Sequence, residues 1–220
     1  MRYRYLDLLT AVFVTTLLVS NIIASKIGAF GPWFMPVGVI IFPISYVLGD
    51  VLTEVYGYAV MRRVIWTGFL CNLLAVIAYT VSRAIPAAPF YEAQASFDLI
   101  FGSTPRLLIA SFVAYLIGSF MNAYVLARMK VSTNGKFLWM RTIGSTIVGE
   151  GLDSFVFIAI AFYGIFTPEQ IGMIALTQWI FKSAFEAVMT PFTYIVVGAL
   201  KKAENVDHYD RGTNFQPFSL

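Results

Sequence analysis

Long apolar stretches alternate with short polar segments along most of the chain. A helix needs ~20 mostly apolar residues to cross the hydrocarbon core of a bilayer. Six stretches approach that length and predict six transmembrane helices, so we expect an all-α integral membrane fold. They are Leu6–Ser25, Val37–Tyr56, Val64–Val81, Leu107–Ala127, Thr142–Ile165 and Ile174–Leu200.

The segments between these helices are short, which leaves no room for a separate soluble domain. We assign residues 1–203 to a six-helix transmembrane domain and residues 204–220 to a polar cytoplasmic tail. From Tyr209 onward the tail is polar and contains proline, which predicts disorder. In the external connection after the third helix, apolar residues predict a short interfacial helix over Tyr91–Phe101.

Composition agrees with a membrane protein. Of the 220 residues 59% are hydrophobic and only 12% charged, whereas a soluble domain has about 25% charged residues. Cys71 has no partner for a disulfide, and His208, the one histidine, lies in the polar tail. This inventory excludes cysteine and histidine metal sites and Ser-His-Asp catalysis inside the membrane, and we expect neither metal nor cofactor.

Lysine and arginine predict the orientation. With the N-terminus inside, eleven of the 15 basic residues fall in cytoplasmic segments and three, Lys26, Arg83 and Arg106, in external ones. Both termini are therefore predicted to be cytoplasmic. The net charge of +3 is modest, and we expect no nucleic-acid partner.

Pairs of acidic residues lie inside two of the predicted helices, where an ionisable group costs ~2.5–3.5 kcal/mol at mid-bilayer. Asp50 and Glu54 are four residues apart on helix two and share a face. Glu150 and Asp153, three apart on helix five, also face one way. Pro43 removes a backbone donor ahead of the first pair and predicts a kink or break there.

The sixth predicted helix carries Gln178, Lys182 and Glu186 on a common stripe, because they are four residues apart. Lys182 is predicted to pair with one of the acids. Five carboxylates at membrane level outnumber this one lysine, so some of them must be protonated or bind a ligand. We therefore predict a polar cavity.

Other polar and aromatic side chains are candidates for the same cavity: Asn21, Tyr46, Asn72 and Trp179. Hydrogen bonding between helices explains the asparagines equally well, and packing explains the two aromatic residues. The pairs Gly49-Asp50 and Gly149-Glu150, each followed by a second acid, suggest an inverted repeat of three plus three helices.

Carboxylates in such a cavity suit a cation, a proton or a neutral base that offers two donors. The two oxygens of one carboxylate can accept the parallel N–H groups of a guanine-like edge. Aromatic side chains would stack on the ring of such a base.

Four segments, SNIIASK, FPISYVLGDVLTEVYG, GSTIVGEGLDS and QWIFKSAFE, resemble the queuosine precursor transporter family, also called the vitamin uptake transporter family. The resemblance implies a multi-pass protein of the bacterial inner membrane, and a transporter rather than an enzyme. It implies import of cyano and aminomethyl deazaguanine bases, with Asp153 or Glu150 on the guanine-like edge. The candidate site residues that it implies are Asn21, Asp50, Glu54, Glu150, Asp153, Gln178 and Lys182.

The resemblance leaves open a coupling proton or ion and a homodimer. Two other functions compete with a stand-alone secondary transporter. One is the substrate-binding component of an energy-coupling-factor importer, which needs a stripe of small residues; helix one offers Ala11 and little else. The other is an intramembrane enzyme that uses paired carboxylates.

Overall fold

The computed structural model describes residues 3–30, 33–102 and 105–219 as a bundle of helices with one small hairpin. The helices are α1 (Leu6–Ile23), α2 (Phe42–Tyr56), α3 (Tyr58–Ala84), α4 (Gln94–Phe101), α5 (Pro105–Ser132), α6 (Leu138–Phe162) and α7 (Pro168–Glu204). The antiparallel strands β1 (Ile27–Phe30) and β2 (Trp33–Pro36) precede a 3₁₀ turn at Val37–Ile40.

Five helices of the described residues are long and apolar enough to cross a membrane. They are α1, α3, α5, α6 and α7, each with a stretch of mean hydropathy between 1.4 and 2.0. These helices confirm the predicted class, an all-α membrane protein. The small hairpin was not predicted. The second predicted helix differs from the other five.

Helix α2 has 15 residues and lies largely buried among the other helices. At ~1.5 Å per residue it is about 22 Å long, shorter than the ~30 Å hydrocarbon core. The predicted break is present, because α2 begins at Phe42 with Pro43 in its first turn. The helix ends at Gly57, whose φ of 85° favours glycine. The sequence 37–56 therefore forms a 3₁₀ turn and a short helix instead of one continuous span.

Most long helices extend further than predicted at the end we assign to the cytoplasm. Helix α5 continues to Ser132 and α6 begins at Leu138, so Lys130 and Arg141 lie inside helices rather than in a loop. The connection between α3 and α5 contains α4, which confirms a short helix within the predicted range Tyr91–Phe101.

Helices α5 and α6 pack closely through two glycines. A Cβ placed on Gly118 would lie 2.7 Å from the Cβ of Asp153 and 3.0 Å from the carbonyl oxygen of Gly149. A Cβ on Gly149 would lie 2.6 Å from the Cβ of Asn122 and 2.9 Å from the carbonyl oxygen of Gly118. Only glycine permits this approach, which brings the polar residues of α6 against those of α5.

The prediction of a disordered tail was wrong. Residues 205–219, which we call the C-terminal strap, fold back over the ends of α2, α3 and α5. The carboxylate of Asp210 accepts hydrogen bonds from the backbone N–H of Tyr58 at 3.0 and 3.1 Å, at the start of α3. Arg62 donates to two strap carbonyls, and Trp66 donates to the carbonyl of Pro217 at 2.8 Å. Polar groups of a free tail would hydrogen-bond to water, whereas in the strap they bond to side chains and backbone of the bundle. Phe215 also packs on Tyr58.

Candidate functional site

Lys182 lies between two carboxylates of helix α6. Its Nζ donates to Oδ2 of Asp153 at 2.6 Å and lies 3.0 Å from Oε2 of Glu150. The lysine is on α7, so these ion pairs join α6 to α7. The prediction that Lys182 pairs with a membrane-level acid is confirmed. The three side chains carry a net charge of −1 when all are ionised.

Asp50 lies in the adjacent part of α2 and is completely buried. Its Oδ1 accepts a hydrogen bond of 2.6 Å from Nδ2 of Asn122 on α5. Within the described chain its Oδ2 has no hydrogen-bond partner, and neither has Oδ1 of Asn122. A buried carboxylate and a buried amide thus each keep one oxygen available.

More side chains nearby share this property. Buried oxygens without a hydrogen-bond partner among the described residues also belong to Thr146, Glu150, Ser154, Ser183 and Glu186. Because native structures pair most of their buried polar groups, such a concentration on α2, α5, α6 and α7 indicates a site for something polar.

Three of these residues, Thr146, Ser154 and Ser183, were missed from the sequence. A signal was present, since Thr146, Glu150 and Ser154 are four residues apart and share one face of an apolar helix. Hydroxyl side chains are frequent in membrane helices as local hydrogen-bonding groups, so this spacing alone did not separate them from packing residues.

Two aromatic rings border the charged cluster. Nζ of Lys182 lies 5.3 Å from the ring centre of Phe42 and 5.8 Å from that of Tyr46. Tyr46 also lines a small cavity together with Phe42, Ser45, Tyr115, Ser119 and Asn122. The cavity measures about 10 Å³, roughly the space of one water molecule. A base could enter only after the surrounding side chains or helices move apart.

The remaining predicted residues lie apart from this cluster. Asn21 donates to Oδ1 of Asn72 at 2.7 Å, a hydrogen bond that joins α1 to α3. Trp179 donates to the carbonyl of Ile147 at 2.8 Å and packs over Gly151. Gln178 is half-buried one residue away. The structure therefore gives Asn21, Asn72 and Trp179 roles in joining helices.

Glu54 belongs to a second, cationic cluster at the strap. Its carboxylate accepts hydrogen bonds from Arg141 at 2.8 and 3.2 Å and from Lys201 at 2.8 Å. Nζ of Lys130 lies 3.5 Å from the same carboxylate. Lys130 and Lys201 also bind Asp207 of the strap. Glu54 is fully buried. This cluster fastens α2, α5, α6, α7 and the strap together, so Glu54 does not face the polar cluster around Asp50 and Lys182.

The arrangement offers several groups that can bind a polar ligand. A carboxylate oxygen of Glu150 and the amide oxygen of Asn122 can accept N–H groups, and the hydroxyl groups can donate or accept. Aromatic rings stand beside them, as in a site for a flat polar ring. Within the described residues, no group of three or more His, Cys, Asp or Glu side chains could hold a metal ion.

The chain is similar in sequence to one family model and to three known proteins. The family model described as "Putative vitamin uptake transporter" matches residues 36–196. A "Probable queuosine precursor transporter" of Bacillus subtilis is 29% identical over 148 residues, which cover 66% of this chain and 64% of that protein. The "Queuosine precursor transporter" of Escherichia coli is 29% identical over 150 residues, 66% of this chain and 64% of its own length.

A "Probable queuosine precursor transporter" of Haemophilus influenzae is 27% identical over 165 residues, 73% of this chain and 67% of that protein. The chain thus covers just under two thirds of the Bacillus and Escherichia proteins. No solved structure matches it.

Proposed function

Because the chain belongs to the vitamin uptake transporter family, we propose that it imports deazaguanine bases, the precursors of queuosine, across the bacterial inner membrane. The names of the three relatives support this substrate class. The observation that carries the proposal is a group of buried polar oxygens without partners among the described residues of α5, α6 and α7, those of Asn122, Thr146, Glu150, Ser154 and Ser183. A guanine-like base supplies donors and acceptors at several edges and would satisfy them.

Glu150 is the residue that we place on the guanine-like edge. Its Oε1 is buried and has no hydrogen bond to the described chain of good geometry, and its Oε2 lies 3.0 Å from Nζ of Lys182. Both oxygens can accept the parallel N–H groups of the base while Lys182 keeps the carboxylate ionised. Asp153 remains the closer partner of Lys182 and holds that lysine in place.

Tyr46 and Phe42 are suitably placed to stack on the base. Tyr46 lines the small cavity and also faces Lys182, so it connects the two parts of the site. Asn122, which lines the cavity and binds Asp50, offers its free amide oxygen to a further donor of the ligand. Gln178 on α7 is half-buried and would contact the ligand at the edge of the site.

The orientation that we infer has both termini in the cytoplasm and α2 as a sixth, short crossing. The backbone N–H groups of Arg4 and Tyr5 donate to the Glu204 carboxylate at 2.9 and 2.7 Å, which supports an arrangement with both termini on the same side of the membrane. The positive-inside pattern supports a cytoplasmic location of that side. An inverted repeat of three plus three helices would fit this arrangement, with α2 and α6 as equivalent carriers of the acids.

The test is equilibrium binding by the purified protein. We expect 7-cyano-7-deazaguanine or its aminomethyl form to bind, and adenine, which lacks the paired N–H edge, to bind at least tenfold more weakly. Glu150→Gln should weaken binding by about 10- to 100-fold, since a hydrogen bond to a charged group contributes about 1.5–3 kcal/mol. The matched control is Asp7→Asn, which changes an exposed acid. Equal affinity for adenine would contradict the proposal.

A stand-alone secondary transporter should also work without coupling proteins. Expression of this chain alone in a host that lacks energy-coupling-factor components should give uptake of the labelled base. Uptake only in the presence of such components would instead identify the chain as their substrate-binding subunit. We infer binding and transport without catalysis. Recovery of the base in unmodified form after uptake would check this inference.

A further inference from the structure

The buried carboxylates of the bundle differ in the cations that they meet. Glu54 is surrounded by Lys130, Arg141 and Lys201. Glu150 and Asp153 share Lys182. Among the described residues, Asp50 and Glu186 form no ion pair at all, although their exposed fractions are 0% and 2%.

Asp50 and Glu186 come from two helices that pack against each other, α2 and α7. Glu186, like Glu54 and Glu150, is close enough to Asp50 for the negative charges to repel. Each keeps one buried oxygen, Oδ2 of Asp50 and Oε1 of Glu186, without a hydrogen-bond partner in the described part of the chain. These two free oxygens provide places for a proton.

The helices packed on this part of α2 bring no ion-pair partner to Asp50 among the described residues. Helix α5 contributes the neutral Asn122, and α6 contributes Glu150, which already binds Lys182. Helices α1 and α3 contribute Phe13 and Met61, which face the neighbouring Gly49. Lys182 of α7 pairs with Glu150 and Asp153.

Two buried carboxylates without a cation cannot both be ionised at neutral pH, because each desolvated charge is costly and the two repel. One proton must be held by the pair. A proton needs only the two free oxygens.

We propose that Asp50 and Glu186 form a proton-binding pair that takes up and releases the coupling proton of transport. This inference rests on the proposed function, because it names the ion that drives import through the same bundle. A proton enters the pair from the external side and leaves to the cytoplasm, and no covalent bond other than O–H forms or breaks.

The pair is connected to the proposed substrate site through α7. Glu186 lies four residues after Lys182 on one face of that helix, so a movement of α7 displaces both. Substrate that draws Glu150 away from Lys182 would shift this helix relative to α2. Separation of Glu186 from Asp50 changes their mutual repulsion and hence their hold on the proton.

A spectroscopic test does not depend on the substrate. Infrared spectra of the purified protein at neutral pH should contain the carbonyl band of a protonated carboxylic acid. Glu186→Gln and Asp50→Asn should each remove or shift this band, whereas Asp7→Asn, which changes an exposed acid on α1, should leave it unchanged. A wild-type spectrum without the band, or a band that both variants leave intact, would overturn the inference.

The functional test uses proteoliposomes loaded at fixed internal pH and given labelled 7-cyano-7-deazaguanine. An inward proton gradient should stimulate uptake by the wild type several-fold, and Glu186→Gln should lose this stimulation while it still binds the base and exchanges it across the membrane. Stimulation that persists in the variant, or that requires a sodium gradient instead, overturns the proton pair and leaves the proposed function standing. Absence of binding by the wild type overturns the proposed function, and the infrared result still decides whether the pair holds a proton.

Discussion

Lys182 donates a hydrogen bond of 2.6 Å to Asp153, although the two residues lie on different helices and 29 positions apart in the sequence. Glu150 lies within 3.0 Å of the same Nζ atom. One lysine therefore compensates two acids, and the position of α7 against α6 depends on it. This relationship gives the first of five predictions.

Lys182→Gln should leave both acids without a cation in a site where the lysine side chain is only 13% exposed. Loss of one partner of a buried ion pair costs about 3–5 kcal/mol, and we expect the lower end because the site is not completely closed. Thermal unfolding in detergent should show a lower midpoint. Lys182→Arg keeps the positive charge and should lower the unfolding midpoint less than Lys182→Gln does. Equal midpoints for wild type and Lys182→Gln would contradict this structural role of Lys182.

Glu54→Gln should destabilise the protein by about 3–5 kcal/mol, because it leaves the buried Arg141 without its carboxylate partner. The effect should appear in the unfolding midpoint and not as a selective loss of base affinity. Asp98→Asn is the control, since its ion pair with Arg83 is exposed and should contribute about 1 kcal/mol or less. Similar losses for both variants would show that the cationic cluster is not a structural lock.

Gly149→Ala should force α5 and α6 apart, because its new methyl group would lie 2.9 Å from the carbonyl oxygen of Gly118. We expect a lower unfolding midpoint and weaker base binding, since Glu150 and Asp153 would shift. Gly172→Ala is the matched control in another long helix, where a Cβ meets nothing within 4 Å. That variant should be neutral or gain up to about 1 kcal/mol of helix stability.

Asp210→Ala should weaken the start of α3, where the carboxylate accepts the N–H of Tyr58. Loss of an N-cap acceptor costs about 0.5–2 kcal/mol. Hydrogen exchange of the first amides of α3 should accelerate. Asp210→Asn keeps an acceptor oxygen and should behave nearly as the wild type; unchanged exchange in Asp210→Ala would show that the strap does not cap this helix.

Asp207 predicts a dependence of stability on pH. Partial burial raises its pKa, but the hydrogen bonds from Lys130 and Lys201 outweigh this and hold the pKa of Asp207 below its ordinary value. Because the folded-state pKa is the lower one, the stabilisation is present above the unfolded value of about 3.9 and is lost as pH falls through the folded-state pKa. The difference in unfolding midpoint between wild type and Asp207→Asn should therefore shrink on acidification below about pH 4. A constant difference would contradict the assignment.

Much of the membrane domain could be predicted because the bilayer imposes simple rules on sequence. Because a charge in hydrocarbon is costly, Asp50, Glu150, Asp153 and Lys182 could be identified as candidate site residues. Helical spacing predicted which of the charged residues share a face. Pro43 predicted the interruption at α2 for an equally local reason, the missing backbone donor.

The rest depended on contacts between distant segments. Lys130 and Arg141 were counted as loop charges, because the polar ends of α5 and α6 carry no hydropathy signal. Only the folded bundle brings them to Glu54, 76 and 87 positions away. The strap was predicted to be disordered from its composition, yet its backbone carbonyls are bound by Arg62 and Trp66, which composition cannot reveal.

The position of the strap in the sequence has a consequence for biosynthesis. Residues 205–219 leave the ribosome after every membrane helix has been made, yet they supply Asp210 to the start of α3 and Asp207 to Lys130 and Lys201. The end of a nascent bundle that the strap covers must therefore stay open until this segment arrives. Any chain that stops before residue 205 would present that open end to the quality-control proteases of the membrane.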